Sequence, residues 1–173
     1  RNIGKLREME SLFADAPFTL DTFAGYEDPV EGDVSYADNA ALKARALHAQ
    51  LQRAGRSASV VADDSGIEVY ALDRRPGVLT AYYGGAELPW SERRRKLLAE
   101  LAETGSTDRR ARFVCALHFI DSHGRELATM GTVDGEIAPS VVLGKMYPLF
   151  SRVVKMSWVT ARWLSVVVRV NRS

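Results

Sequence analysis

The chain has 173 residues, of which 46% are hydrophobic and 26% charged, and this length and composition predict one globular domain with a hydrophobic core. Its 23 basic and 22 acidic residues leave a formal net charge of +1, which excludes an overall field that would attract nucleic acid or an anionic membrane. A single cysteine excludes an intrachain disulfide, and charged residues interrupt the apolar carboxy-terminal segment, so we expect a cytoplasmic protein without a membrane span.

Two helices are predicted in the amino-terminal third of the chain. Over residues 2–16, Leu6, Met9 and Phe13 recur at helical spacing. The stretch "SYADNAALKARALHAQLQRAG", residues 35–55, begins with the Ser-x-x-Asp pattern of a capping box and ends at a glycine. Its alanines and leucines fall on one face, so we expect this helix to pack against the core through that face.

Strands and one further helix are predicted for the next part of the chain. Residues 57–63, "SASVVAD", and residues 66–72, "GIEVYAL", are predicted as two strands joined by a tight Asp-Ser-Gly turn. A helix is predicted over residues 91–103, with Ser91 as its cap and its arginines on a solvated face. Residues 111–138 alternate on either side of "DSHG", which predicts an antiparallel hairpin. Together these helices and strands predict an α/β domain with a mixed sheet.

Two adjacent carboxylates, Asp63 and Asp64, stand at the end of the first of these strands. We expect both to face a crevice at the edge of the sheet, where α/β proteins commonly bind ligands. Because neighbouring carboxylates repel each other, a cation or hydrogen-bond donors must offset the repulsion. Oxygen ligands without a nearby cluster of histidine or cysteine favour Mg²⁺, which proteins typically share with substrate phosphates. The alternative is an Asx turn, in which Asp64 and Ser65 only cap backbone amides.

Other polar residues are suited to a polyphosphate. Asn39 and Lys43 are four residues apart, so they share one face of the predicted helix, and Glu31 adds a third carboxylate before it. Asn2 and Lys5 lie in a loop that leads into the first helix, where free N–H groups favour phosphate. Taken singly, each lysine is expected on the solvated surface. Taken together, the residues predict a site for a polyphosphate and a metal ion.

Six segments of the chain, in order, carry a resemblance to a known family. They are "RNIGKLREM", "EGDVSYADNAALKARA", "VVADDSGIEVYAL", "RPGVLTAYYGG", "RRARFVCAL" and "GTVDGEIA". In order and spacing they resemble the inosine/xanthosine triphosphate pyrophosphatases, which hydrolyse non-standard purine nucleoside triphosphates (ITP, dITP and XTP) to monophosphate and pyrophosphate. The resemblance extends over residues 1–138, and residues 139–173 form an atypical tail of the same single domain.

The resemblance implies a fold, a cofactor and an assembly. The fold would be an elongated, mixed central β-sheet flanked by helices with a ligand cleft, the cofactor Mg²⁺, and the assembly a homodimer. In this family pattern Asp64 is a metal ligand and the proton acceptor, Asp63 supports it, and Glu31 is the other metal ligand. The residues expected at the substrate are Asn2, Lys5, Asn39, Lys43, Ser65 and Gly66.

The chain also departs from the family pattern. Tyr82 stands where an arginine is common, and the tail lacks the Gly-Phe-Gly-Tyr-Asp-Pro and Ser-His-Arg segments that hold the purine, with "YPLF" as a remnant. We therefore expect weaker discrimination between inosine and adenosine triphosphates. Two alternatives stay open: a catalytically weak nucleotide-binding relative, and a house-cleaning pyrophosphatase for another modified nucleotide.

Overall fold

The computed structural model describes residues 6, 9–11, 13–15, 17–85, 87–139 and 165–170 of the chain. Most of the predicted first helix lies outside these residues, although residues 9–11 are helical. Asn2 and Lys5, both expected at the substrate, also lie outside the described residues, as does the "YPLF" segment of the tail. The other predicted site residues all lie within the described part of the chain.

A five-stranded sheet with the strand order β1-β5-β2-β3-β4 carries the fold. Its strands are β1 Phe18–Asp21, β2 Ser59–Val69, β3 Arg110–Ile120, β4 Glu126–Glu136 and β5 Ser165–Val170. β5 pairs antiparallel with both β1 and β2, so that Val168 stands opposite Leu20 and Ser59. The predicted hairpin is confirmed, because β3 and β4 are neighbours joined only by residues 121–125.

Two long helices accompany the sheet in the described part of the chain, which confirms the predicted α/β class. They are α1, Tyr36–Arg53, and α2, Trp90–Glu103. Two short 3₁₀ segments, Tyr70–Leu72 and Gly77–Ala81, follow β2. In the part of the chain that the structure describes, neither helix combines the length and apolar character that crossing a membrane requires.

The acidic pair lies inside one continuous strand, which corrects the prediction of two strands joined by a turn. β2 runs without interruption from Ser59 through Asp63 and Gly66, and it is the third of the five strands. β3 neighbours β2 along one side, β5 pairs with it at Ser59–Ala62, and the Ile67 amide beyond Gly66 donates to Oγ1 of Thr80. These long-range contacts outweigh the local turn preference of Asp-Ser-Gly. The glycine serves a close contact instead, since a Cβ on Gly66 would lie 2.2 Å from the carbonyl oxygen of Gly77.

Helix α1 begins as the sequence predicts. The Ser35 side chain accepts a hydrogen bond of 3.2 Å from the backbone N–H of Asp38, which satisfies one of the free amides of the first turn. The helix ends at Arg53, and Gly55 follows with a φ of 68°, a conformation that glycine adopts without strain. The buried apolar residues of α1 are Tyr36, Ala40, Ala41, Ala44, Leu47 and Leu51.

Helix α2 departs from prediction at its start. Pro89 is its N-cap, without a side-chain cap, and Ser91 lies within the first turn, so the prediction of Ser91 as the cap was wrong. The extended ψ of 146° at Pro89 is the conformation that an N-cap requires. The apolar side of α2 faces the interior at Leu97 and Leu101, which are both buried.

The arginines of α2 do not all lie on a solvated face, as the sequence had suggested. Arg93 is buried, and its Nε donates a hydrogen bond of 2.7 Å to the carbonyl oxygen of Leu88. It also donates to the carbonyl oxygen of Ala81, and its guanidinium carbon lies 4.7 Å from the ring centroid of Trp90. These two hydrogen bonds and the aromatic ring offset the cost of burying the guanidinium.

Two compact units are distinguished by their internal contacts. The first comprises Arg1–Asp64, Cys115–Met130 and Arg162–Ser173, and the second Ser65–Val114 and Gly131–Ala161. In the first unit, one apolar cluster joins α1 to β2, and it consists of Ala44, Leu47, Leu51, Val60, Ala62, Ile120 and Val167. A second cluster consists of Met9, Leu20 and Val61. Because α1 and β2 share a core, the polar residues on their facing sides are brought together.

We expect Ser35→Ala to lower the free energy of unfolding by about 1 kcal/mol, because the variant lacks the hydroxyl that accepts the Asp38 amide hydrogen. The matched control is Ser91→Ala, which leaves the start of α2 unchanged and should alter stability by less than about 0.5 kcal/mol. Urea unfolding followed by circular dichroism measures both variants. Equal losses would contradict the role of Ser35 as the helix cap.

Candidate functional site

Four of the predicted site residues meet within the first unit, where α1 faces β2. Asp64 lies in the middle of β2, and Asn39 and Lys43 lie one helical turn apart on α1. Glu31 precedes α1 in the loop before its cap. The structure thus brings together one amide, one ammonium and two carboxylates, as the sequence predicted.

The ammonium group of Lys43 links the two carboxylates. Its Nζ lies 3.4 Å from Oε1 of Glu31 and 3.4 Å from Oδ1 of Asp64. The Lys43 side chain is 0% exposed, so it does not lie on the solvated surface, where a lysine considered singly is expected. Because an isolated buried charge is very costly, this burial depends on the two anionic partners.

Asn39 ties the loop that carries Glu31 to the strand that carries Asp64. Its Nδ2 donates to Oδ2 of Asp64 at 3.0 Å and to the carbonyl oxygen of Gly32 at 2.9 Å, and its Oδ1 accepts from the Gly32 N–H at 2.9 Å. Both amide hydrogens are therefore used within the protein. Sequence reasoning missed this positioning role, and the expected contact of Asn39 with substrate stays a prediction.

Glu31 is a buried carboxyl group whose described partner is the Lys43 ammonium, in an ion pair rather than a close hydrogen bond. Its side chain is 5% exposed, and no described residue donates a hydrogen bond to either of its oxygens. Burial raises the pKa of Glu31 from 4.5 to about 7, against the opposing effect of the Lys43 charge. The Asp64 charge raises this pKa further. The carboxylate oxygens of Glu31 thus have free lone pairs in a site with few donors.

Asp64 is fully buried, and its environment acts on its pKa in two directions. Burial raises the pKa of Asp64, while the Lys43 ammonium and the hydrogen bond from Asn39 lower it. The net direction is upward, so the carboxylate is a stronger base than an exposed aspartate. This property suits a group that accepts a proton.

The other described residues of the predicted site follow the same strand. Asp63 is also fully buried, but successive side chains of a strand point to opposite faces, so the two aspartates do not share one crevice as expected. Ser65 and Gly66 continue β2 in the second unit, and Ser65 is buried. The roles expected for Asp63 in catalysis, and for Ser65 and Gly66 at the substrate, stay predictions.

The donor set agrees with the chemistry of magnesium. Glu31 offers carboxylate oxygens that are paired with the Lys43 ammonium at 3.4 Å, and Asp64 stands beside the same ammonium group. Among the described residues, no group of three or more histidine, cysteine, aspartate or glutamate side chains could hold a metal ion. Mg²⁺ does not need such a group, because it is usually bound by one or two carboxylates together with water and substrate phosphates.

Comparison with known proteins shows which proteins this chain is similar to. A model of the Ham1 family matches residues 1–146. A dITP/XTP pyrophosphatase of Exiguobacterium sp. is 39% identical over 142 residues, which are 80% of this chain and 69% of the relative. One of Haemophilus influenzae is 39% identical over 121 residues, which are 69% of this chain and 60% of the relative. The structure of the Staphylococcus aureus Ham1 protein matches with a TM-score of 0.68 and 31% identity, over 87% of this chain and 77% of that one.

In the metal-free protein, we expect Glu31 to make the free energy of unfolding fall as the pH rises from about 4.5 to about 7. Because the pKa of Glu31 is raised in the folded state, the folded protein binds this proton more tightly than the unfolded chain. The contribution of Glu31 to the free energy of unfolding is therefore largest below pH 4.5, where the group is protonated. Its ionisation at higher pH lowers the free energy of unfolding by about 1–3 kcal/mol. Urea unfolding at about pH 5 and about pH 8, with a chelator present, measures the change.

Glu31→Gln is the control for this measurement. It lacks the titrating group, so its loss of stability between the two pH values should be smaller than that of the unmodified protein. Some loss should remain, because the raised pKa of Asp64 acts in the same direction. An identical pH dependence in the two proteins would contradict the prediction.

We expect Lys43→Met to lower the free energy of unfolding by about 3–5 kcal/mol at neutral pH, because two carboxylates then remain buried without their shared cation. The matched control is Lys96→Met, which removes a half-exposed lysine 3.8 Å from Glu100 and should cost less than about 1 kcal/mol. Thermal and urea unfolding measure both. Similar stabilities for the two variants would show that the buried pairs do not hold the site together.

Proposed function

The chain belongs to the Ham1 family, and from this premise we propose that it hydrolyses non-standard purine nucleoside triphosphates such as dITP, ITP and XTP to monophosphate and pyrophosphate. The observation that carries the proposal is the buried Asp64 carboxylate, held by Asn39 and Lys43 beside Glu31. Relatives that are 39% identical to this chain over 142 and 121 aligned residues are dITP/XTP pyrophosphatases. The reaction would remove these nucleotides from the pool.

Asp64 is proposed as the general base. The reaction requires a water molecule to lose a proton as it attacks phosphorus, and a carboxylate with a raised pKa accepts that proton more readily than an ordinary aspartate. The hydrogen bond from Asn39 fixes one oxygen of Asp64, and the ammonium of Lys43 lies beside the other. These contacts orient the carboxylate before any substrate arrives.

Glu31 and Asp64 are proposed to hold Mg²⁺. When bound, Mg²⁺ would neutralise phosphate charge and lower the pKa of a coordinated water. The free lone pairs of Glu31 support this role, since its oxygens receive no hydrogen bond from the described residues. Glu31 must be ionised to act as a ligand, so its raised pKa makes binding weaker below about pH 7.

Lys43 is proposed to balance negative charge at the site in two ways. In the structure its ammonium balances Glu31 and Asp64. With Mg²⁺ bound to Glu31 and Asp64, the same ammonium would be available to a phosphate oxygen, which is the role that the family resemblance implies. Lys43 therefore supports both the ligand set and the departing pyrophosphate.

A catalytically weak nucleotide-binding relative is the second candidate. The observation that favours it is Tyr82, a half-exposed side chain at a position where the family commonly has arginine. Loss of one guanidinium near a triphosphate would remove charge stabilisation without removing the base. A house-cleaning pyrophosphatase for another modified nucleotide stays within the same reaction class.

A homodimer and a cytoplasmic location are also proposed. The family resemblance supports the dimer, and the single cysteine is consistent with a reducing compartment. Sedimentation at micromolar concentration tests the assembly. Detection of monomer alone would contradict the dimer.

We expect Asp64→Asn to reduce pyrophosphate release by at least about a hundredfold, because the amide can neither accept the proton nor bind a metal ion as an anion. The matched control is Asp134→Asn, which neutralises an exposed carboxylate paired with Arg112 and should retain activity. Release of pyrophosphate from dITP, XTP, ITP and ATP is measured with Mg²⁺ and with a chelator. Circular dichroism verifies that both variants fold.

The same panel separates the candidates. Mg²⁺-dependent release from dITP or XTP that Asp64→Asn abolishes supports the proposed function. Binding of these nucleotides without release supports the weak relative, and release from another modified triphosphate alone supports the third alternative. Near-normal turnover in Asp64→Asn would contradict the assignment of the base.

A further inference from the structure

The hydroxyl of Thr80 joins the 3₁₀ segment Gly77–Ala81 to strand β2 within the second unit. Its Oγ1 accepts a hydrogen bond of 2.9 Å from the backbone N–H of Ile67. The same hydroxyl donates to the carbonyl oxygen of Gly77 at 2.5 Å. Thr80 is 7% exposed, so both bonds are shielded from water. A backbone amide of β2 is thus held by a side chain from outside the sheet.

Gly66 brings the strand into direct contact with the same 3₁₀ segment. A Cβ at Gly66 would lie 2.2 Å from the carbonyl oxygen of Gly77 and 2.7 Å from Oγ1 of Thr80. Only the absence of a side chain permits this approach, which is therefore a packing requirement at Gly66. The strand is fixed by van der Waals contact at Gly66 and by a hydrogen bond at Ile67.

We propose that Thr80 is a positioning residue that fixes the backbone of Ser65 and Gly66 for contact with the triphosphate. The inference rests on the proposed function, in which these two residues are expected at the substrate. Thr80 holds the residue that follows them, so loss of its hydroxyl frees the Ile67 amide and allows the segment to shift toward or away from the 3₁₀ segment. Thr80 itself touches no substrate in this proposal.

The kinetic test uses variants that separate the hydroxyl from the volume of the side chain. Thr80→Val keeps the shape and removes the hydroxyl, and we expect it to raise KM for dITP about tenfold with less than about a threefold change in kcat, because ground-state contacts are displaced. Thr80→Ser keeps the hydroxyl and should restore KM. Thr129→Val, on the exposed strand β4, is the matched control and should resemble the unmodified chain.

A second measurement does not depend on activity. Amide hydrogen exchange of residues 65–67 is measured without nucleotide, and we expect it to be at least about tenfold faster in Thr80→Val than in Thr80→Ser. If the unmodified chain cleaves no triphosphate, the proposed function fails, while the exchange comparison still supports or contradicts the positioning role. Thr80→Ala provides the same comparison if the valine variant does not fold.

Two results would overturn the inference. One is unchanged exchange and unchanged KM in Thr80→Val. The other is a fall in melting temperature and kcat with KM unaltered and no recovery in Thr80→Ser, which would indicate a general structural role. Faster exchange with a raised KM, both reversed by serine, supports the inference.

Discussion

The rest of the site depends on one buried ammonium group shared by two carboxylates. Lys43 lies 3.4 Å from both Glu31 and Asp64, and none of the three charges could be withdrawn from water alone without a large cost. Their mutual compensation permits α1 to pack directly on β2 at a position where both elements carry ionisable groups. The apolar cluster between α1 and β2 supplies the packing energy, and the ion pairs determine which polar residues can be enclosed with it.

Much of the first unit could be predicted because its signals are local. The Ser35 cap and the apolar face of α1 follow from spacing within one helix, and the hairpin of β3 and β4 follows from alternation around a short turn. The grouping of the site residues could be predicted because carboxylates, an amide and an ammonium are together suited to a polyphosphate and a metal ion. These residues are Glu31, Asn39, Lys43 and Asp64. Their agreement with a family pattern indicated that these residues belong to one site, which composition and periodicity alone do not show.

The errors arose where distant parts of the chain decide the local structure. The local sequence Asp-Ser-Gly predicts a turn, but the neighbouring strand β3 and the hydrogen bond from Ile67 to Thr80 keep β2 extended. Gly66 is required by the close approach of Gly77. The sequence predicts that Arg93 lies on the surface, but carbonyl groups and an aromatic ring surround its guanidinium group. The use of both Asn39 amide hydrogens inside the protein was equally invisible, because their acceptors belong to a loop and a strand that the sequence does not place beside the helix.

The double attachment of Asn39 has a consequence for how the site can change over evolutionary time. Asn39 contacts Asp64 on one side and Gly32 on the other, while Lys43 contacts Asp64 and Glu31. The loop before α1, the helix itself and strand β2 therefore form a closed circuit of interactions. In such a circuit the effect of one substitution depends on which others are already present, and energies measured singly do not add. We therefore expect these positions to change together during evolution. A substitution that alters charge or hydrogen-bonding capacity at one position would be accompanied by a substitution at another.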